Sequence, residues 1–178
     1  VRVIYNQSQI HVEVYKAGLL NSMGHDLELA ANKFQIEISG SSETQYKIKI
    51  TIDASSLKVL KTLTSSVVPL SQKDTLEIEN IIREKILQTS KYPHIVFSAD
   101  NLSYEGPKTY RFNGELFIKD TTGSVSVSCI TTASTPLLVQ GKCTFVQSDF
   151  NITPYSAMFG ALKIQNKVCV TFSIALAF

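Results

Sequence analysis

Apolar residues occupy every second position through much of the chain. Ile10, Val12 and Val14 stand against His11, Glu13 and Tyr15, and the pattern returns at Phe34, Ile36 and Ile38 and at Tyr46, Ile48, Ile50 and Ile52. A period of two predicts strands with one apolar and one polar face. Gly40-Ser41-Ser42-Glu43 is a turn cluster between two such runs, so residues 33–39 and 45–53 are expected to pair as a hairpin.

The period shifts to that of a helix after residue 73. Asp74 is expected as N-cap with Glu77 at the third helical position, and Ile78, Ile81, Ile82 and Ile86 then share one arc. Glu77, Glu79, Arg83, Glu84 and Lys85 take the rest of the surface. The helix must stop before Pro93, whose ring biases Tyr92 towards extended backbone, and His94-Ile95-Val96-Phe97-Ser98 has strand composition. Residues 54–69, rich in Ser, Thr and Leu without a clear period, are expected as a crossing segment into the helix.

Alternation resumes beyond the helix, broken at 104–108, 119–123 and 133–136, which predicts three hairpin turns and an antiparallel meander. Tyr110, Phe112, Leu116 and Ile118 form one apolar face. Val125, Val127 and Cys129 mirror Val139, Cys143 and Phe145 across the third turn. Cys129 and Cys143 can bridge only if the register sets them directly opposite; a two-residue slip separates them. Residues 148–162 form a long apolar-rich connection, expected as a lid or packing loop. The last strand carries Val168, Val170, Phe172, Ile174 and Leu176.

Eight or nine such strands must close or stack to hide their edges, and consecutive hairpins favour an eight-stranded antiparallel β-barrel with the helix over an opening or a seam. Such a barrel is either filled by side chains or holds one apolar ligand. Alternation does not separate the two: Phe34, Phe97, Phe112, Phe145 and Phe172 serve equally as core or as pocket wall.

Composition sharpens this picture. With 178 residues one domain spanning 1–178 is expected, and 44% hydrophobic against 18% charged residues leaves more apolar surface to bury than a typical domain has. The net charge of +2 comes from scattered residues with no basic stripe, so nucleic acid is not an expected partner. No window approaches the span of a membrane helix, so no stable membrane insertion is expected. The chain opens at Val1 without an initiator methionine, which fits a periplasmic or secreted protein after leader removal, with the cytoplasm as the alternative. Three cysteines without paired spacing are expected as buried thiols.

Catalytic spacings are missing: there is no GxSxG elbow, glycine-rich phosphate loop, HExxH or paired-cysteine metal motif. The expectation is a protein that is not an enzyme, with no catalytic or metal residue and no cofactor. His11 and His94 are expected at the surface. At Gly24-His25-Asp26 an imidazole adjoins a carboxylate where a strand begins, open to three roles: a strand-end cap, a polar contact at a ligand mouth, or a metal or acid–base site.

Three stretches carry a family resemblance. The helix running into Lys91-Tyr92-Pro93-His94-Ile95-Val96-Phe97, the segment GLLNSMGHDLEL at 18–29, and QSDFNITPYSAMFGALKI at 147–164 occur in the order seen in the YceI-like, lipocalin-like polyisoprenoid-binding family. The second stretch resembles the branch of that family with a GHD motif. Asn151 stands where the family pattern has Gly, a replacement compatible with left-handed backbone.

The resemblance implies a lipocalin-like barrel with a helix packed on it and an elongated apolar cavity for a long-chain isoprenoid or quinone-like lipid. Joined to the alternation pattern, it gives an expected ligand-binding set of Phe34, Ile36, Ile82, Ile86, Phe97, Phe112, Leu116, Phe145, Tyr155, Met158, Phe159 and Phe172. In this reading Met158 and Phe159 help to close the tunnel, and His25 and Asp26 are polar mouth candidates. The expected function is a carrier of a polyisoprenoid or isoprenoid quinone, monomeric or homodimeric; the alternative is a ligand-free structural or stress-response module with a solid core.

Overall fold

A computed structural model describes residues 1–18, 24–40, 46–64, 69–132 and 135–178. In chain order its elements are β1 (Arg2–Val3), β2 (Gln9–Val14), β3 (Lys16–Ala17), β4 (Leu27–Ala31), β5 (Phe34–Ser39), β6 (Lys47–Asp53), β7 (Leu57–Thr62), α1 (Gln72–Ile81), β8 (His94–Gly106), β9 (Thr109–Ile118), β10 (Thr121–Thr131), β11 (Leu137–Val146), β12 (Ser156–Ala157), β13 (Leu162–Ile164) and β14 (Lys167–Ala177). The main sheet runs β5-β6-β8-β9-β10-β11-β14-β2-β4-β7, with β1 also paired to β14; β12, β13 and β3 form a small second sheet. All ladders are antiparallel. The architecture is a curled, mostly β half-barrel with one helix, the class expected, although it has more strands than eight.

Strand order departs from the expected succession of neighbours. β8 to β11 do follow one another, but β14 inserts between β11 and β2, and of β4 and β5, adjacent in sequence, β5 lies at one end of the sheet and β4 next to the other. The predicted hairpin is β5–β6, with Ile36 opposite Ile50 and Ile38 opposite Ile48; residues 41–45 of its turn lie outside the described residues. So do 65–68 of the expected crossing segment and 133–134 of the third turn. The crossing segment is more ordered than its composition suggested. Asp53 caps a 3-10 turn over Ala54–Ser56, and Leu57–Thr62 then forms a strand on β4, whose backbone supplies the pairing that propensity alone did not signal.

Helix α1 begins one turn earlier than expected. Ser71, not Asp74, is the N-cap, and Asp74 is the third helical residue whose carboxylate reaches back to the cap. The serine hydroxyl accepts from the Asp74 N–H at 3.1 Å and the Ser71 N–H donates to Asp74 Oδ2 at 3.3 Å, a reciprocal capping box. The helix continues as a π turn over Ile82–Ile86 before the chain turns at Pro93 into β8.

The helix lies against β7, the last strand of the sheet. Glu79 is buried there: its Oε1 accepts the Val59 N–H at 3.0 Å and its Oε2 meets Lys58 Nζ at 2.8 Å. A side-chain carboxylate thus satisfies an edge amide that no further strand pairs. Beside it, buried Glu28 on β4 meets His11 Nδ1 at 2.8 Å and Lys61 Nζ at 3.3 Å.

The cysteine register resolves as the slipped alternative. Val127 pairs with Cys143 and Cys129 with Gly141, and all three thiols are free. Desolvation pushes the Cys129 and Cys143 thiols up to about 11.

Candidate ligand cavity

Inward-facing positions of the curled sheet enclose a cavity of about 1090 Å³. That volume meets the upper end of ordinary small-molecule sites, about 300–1,000 Å³. The interior is therefore hollow. Its wall draws on Ile10 and Val12 of β2, Leu27 and Leu29 of β4, Ile36 and Ile38 of β5, Ile48, Ile50 and Ile52 of β6, and the inward faces of β8 to β11 and β14. Helix α1 and its π turn add Ile78, Ile81, Ile82 and Ile86, so the apolar arc of the helix faces the cavity.

The cavity stays open partly because two strands carry glycine at inward positions. A Cβ on Gly114 would lie 2.7 Å from the Phe97 ring and 2.5 Å from Ser98 O; one on Gly141 would lie 2.5 Å from Phe172 Cζ. Each ring occupies the space that a side chain at the glycine would need, and so lies against the wall. A third inward glycine, Gly123, receives Phe150, whose Cζ would be 2.8 Å from such a Cβ. Phe150 is 2% exposed and meets the Phe145 ring edge-on at 5.3 Å, so it plugs the sheet beside the cavity without entering it. Glycine at positions where the alternation calls for a large apolar residue is the sequence signal for this arrangement.

Nine of the twelve expected ligand-binding residues line the cavity: Ile36, Ile82, Ile86, Phe97, Phe112, Leu116, Phe145, Tyr155 and Phe172. Three do not. Phe34 packs against Tyr5, ring centroids 5.8 Å apart, beside a small outer groove. Met158 and Phe159 are exposed, Phe159 completely, and close nothing. Their backbones sit in the left-handed region at φ 53 and 54, which turns both side chains away from the sheet. The rest of the 148–162 connection does form wall, through Ile152, Tyr155 and Leu162.

The two polar mouth candidates separate. His25 lines the cavity, and its Nδ1 is buried with no hydrogen-bond partner among the described residues. Asp26 is buried behind the wall, accepting from the Lys16 N–H at 2.8 Å and from Thr64 Oγ1 at 3.1 Å, which ties β3 and the end of β7 to the start of β4. The carboxylate is thus the strand-end cap, and the imidazole is left to the cavity. Asp74, Glu77, Thr131, Gln147 and Lys163 are among the other polar residues of the lining. Among the described residues no three metal-ligating side chains cluster.

Asn151 adopts φ 54, ψ 28, the left-handed geometry expected where the family pattern has Gly, and its Nδ2 donates to Thr121 Oγ1 at 2.9 Å. It ends the 3-10 turn Gln147–Phe150 that sets Phe150 into the sheet.

No curated protein sequence matches the chain. Solved structures do. BcnA of Burkholderia cenocepacia has 17% identity, covers 99% of this chain and 100% of its own, and superimposes with a TM-score of 0.74. A polyisoprenoid-binding domain from Saccharophagus degradans, implicated in plant cell wall breakdown, has 11% identity, coverage of 97% and 94% and a TM-score of 0.66. A YceI protein of Campylobacter jejuni has 11% identity, coverage of 85% and 86% and a TM-score of 0.59. At these identities the likeness is one of fold. The YceI-like domain model matches residues 3–176, and with a curled antiparallel sheet, one seam helix and a hollow apolar interior, the chain belongs to the YceI-like domain family.

Proposed function

We propose that this protein is a non-catalytic carrier that holds one long apolar lipid, a polyisoprenoid or isoprenoid quinone, inside the curled sheet. The observation that carries this reading is the apolar cavity of about 1090 Å³, walled by aliphatic and aromatic side chains from eleven strands and the helix. Burying an isoprenoid tail there gains about 25 cal/mol per Å² of apolar area removed from water, with no directional contact required along the tail. The fold neighbour from Saccharophagus degradans is itself described as a polyisoprenoid-binding domain, which favours the same ligand class.

In this reading His25 meets the ligand's polar head. Its Nδ1 has no partner among the described residues, a buried unpaired nitrogen costs about 1–3 kcal/mol, and a polar group of a cavity ligand would supply one. The reading also places the chain in the GHD branch of the family and in the periplasm, where a lipid must cross water.

Extraction of protein purified from a native-like host into organic solvent, with mass analysis, tests the proposal. A stoichiometric isoprenoid or quinone is expected. Phe112→Trp should lower its amount by filling the cavity while leaving the fold intact. Protein that emerges lipid-free and takes up no added prenol or quinone would defeat the carrier reading. Stoichiometric transition metal lost in His25→Ala would instead support a metal site.

A further inference from the structure

Met158 and Phe159 form the most exposed apolar pair among the described residues, 56% and 114% exposed, at the tip of the β12–β13 hairpin. Three consecutive residues there have positive φ: 53 at Met158, 54 at Phe159 and 87 at Gly160. Left-handed backbone is disfavoured for residues with a Cβ, and neither side chain recovers the cost by packing. The tip is nonetheless braced. The Ala161 N–H donates to Met158 O at 3.1 Å, and Gly18 approaches so closely that a Cβ on it would lie 2.5 Å from Ala161 O.

Two further features indicate what the tip meets. Exposed Lys163 lies directly behind it, its Cε 2.9 Å from where a Cβ on Gly160 would stand, whereas Lys16 on the adjoining strand donates its Nζ to Gly24 O at 3.1 Å. From Asn151 to Phe178 the chain has two lysines and no acidic residue. The same hairpin also supplies cavity wall through Tyr155, Leu162 and Ile164.

We propose that Met158–Phe159 is a membrane-docking tip, which enters the interfacial layer of a bilayer reversibly while exposed Lys163 faces anionic headgroups. A convex pair of large apolar side chains backed by lysine suits a lipid interface, which accepts apolar groups at shallow depth and attracts basic residues. Docking through this hairpin sets a wall of the cavity beside the membrane. The inference rests on the geometry of the tip and stands or falls separately from the identity of any cavity ligand.

The chain contains no Trp, so a single introduced one reports its own surroundings. In Phe159→Trp, emission is expected to shift to the blue when phosphatidylcholine–phosphatidylglycerol vesicles are added, and to be quenched by brominated lipid. Ile130→Trp, at an exposed position on β10, should do neither. In co-sedimentation Phe159→Ser should lower vesicle partition about tenfold, the effect of losing one buried aromatic side chain. Lys163→Glu should weaken partition only when phosphatidylglycerol is present. Circular dichroism of each variant verifies the fold. Emission of Phe159→Trp unchanged by vesicles, an equal response from Ile130→Trp, or wild-type sedimentation of Phe159→Ser would each overturn the proposal.

Discussion

The wall hairpins β8 to β11 and the seam formed by β4, β7 and α1 solve one problem, an apolar interior beside water, in different ways. In the wall every backbone ladder has a neighbouring strand, buried side chains are almost all apolar, and fit is set by size: Phe150 in the space left by Gly123, Phe97 over Gly114, Phe172 over Gly141. At the seam the sheet runs out of strands, and buried carboxylates take over. Asp26 caps β3, Glu28 holds His11 and Lys61, and Glu79 fastens the helix to the free amide of Val59. The buried acids of this seam each answer a backbone amide or a cation that no neighbouring strand pairs.

The largest expected effect falls on the wall. Phe150→Ala should lower the free energy of unfolding by about 3–5 kcal/mol, and Gly123→Ala by about 1–3 kcal/mol because the new methyl overlaps the ring. Urea denaturation measures both. A neutral Gly123→Ala would mean that the ring moves freely, against a wall held by shape.

At the seam Glu79→Leu should cost about 2–3 kcal/mol, since it strips a charged acceptor from the part-buried Val59 amide. Lys58→Ala should cost under about 1 kcal/mol, because the lysine is partly exposed and the ion pair is screened. Glu79→Gln, which retains an acceptor, should fall between them. If Lys58→Ala proves as damaging as Glu79→Leu, the ion pair and not the edge amide holds the helix, and the contrast with the wall changes its meaning.

Alkaline stability gives a smaller test. Desolvation makes buried Cys129 and half-buried Cys143 keep their protons to about 11, whereas exposed thiols in the unfolded chain release theirs near 9.0. The contribution is present below pH 9 and is lost as pH rises from about 9 to 11. Replacing both by Ala should flatten the fall of the denaturation midpoint over that window. Thiol titration should find three free groups on denaturation and slow reaction at Cys129 and Cys143 in the native protein.

The smallest expected change is at Asn151. Asn151→Gly should be within about 0.5 kcal/mol of neutral, because relief of the left-handed backbone offsets the lost bond to Thr121, whereas Asn151→Ala should cost about 1–2 kcal/mol. A silent alanine variant would show that the turn setting Phe150 is not held at this residue.

Local periodicity by itself determined the wall. Strict alternation in β6, β9, β10 and β14, and in β5 apart from Phe34, named cavity-lining residues because a strand has only two faces, and helical spacing placed Ile82 and Ile86 on the cavity side. The motif at Lys91–Phe97 and the positions around Asn151 carried the family. What only the tertiary structure decided were features that depend on partners remote in sequence. The strand at 57–62 exists because β4 pairs with it, the two-residue slip between Cys129 and Cys143 comes from ladder register, and His25 and Asp26, adjacent in sequence, diverge because Lys16 and Thr64 claim the carboxylate. Hollowness was undecided for the same reason. A strand pattern states which way a phenylalanine faces, but whether its ring fills the centre or lies on the wall depends on a glycine one strand away.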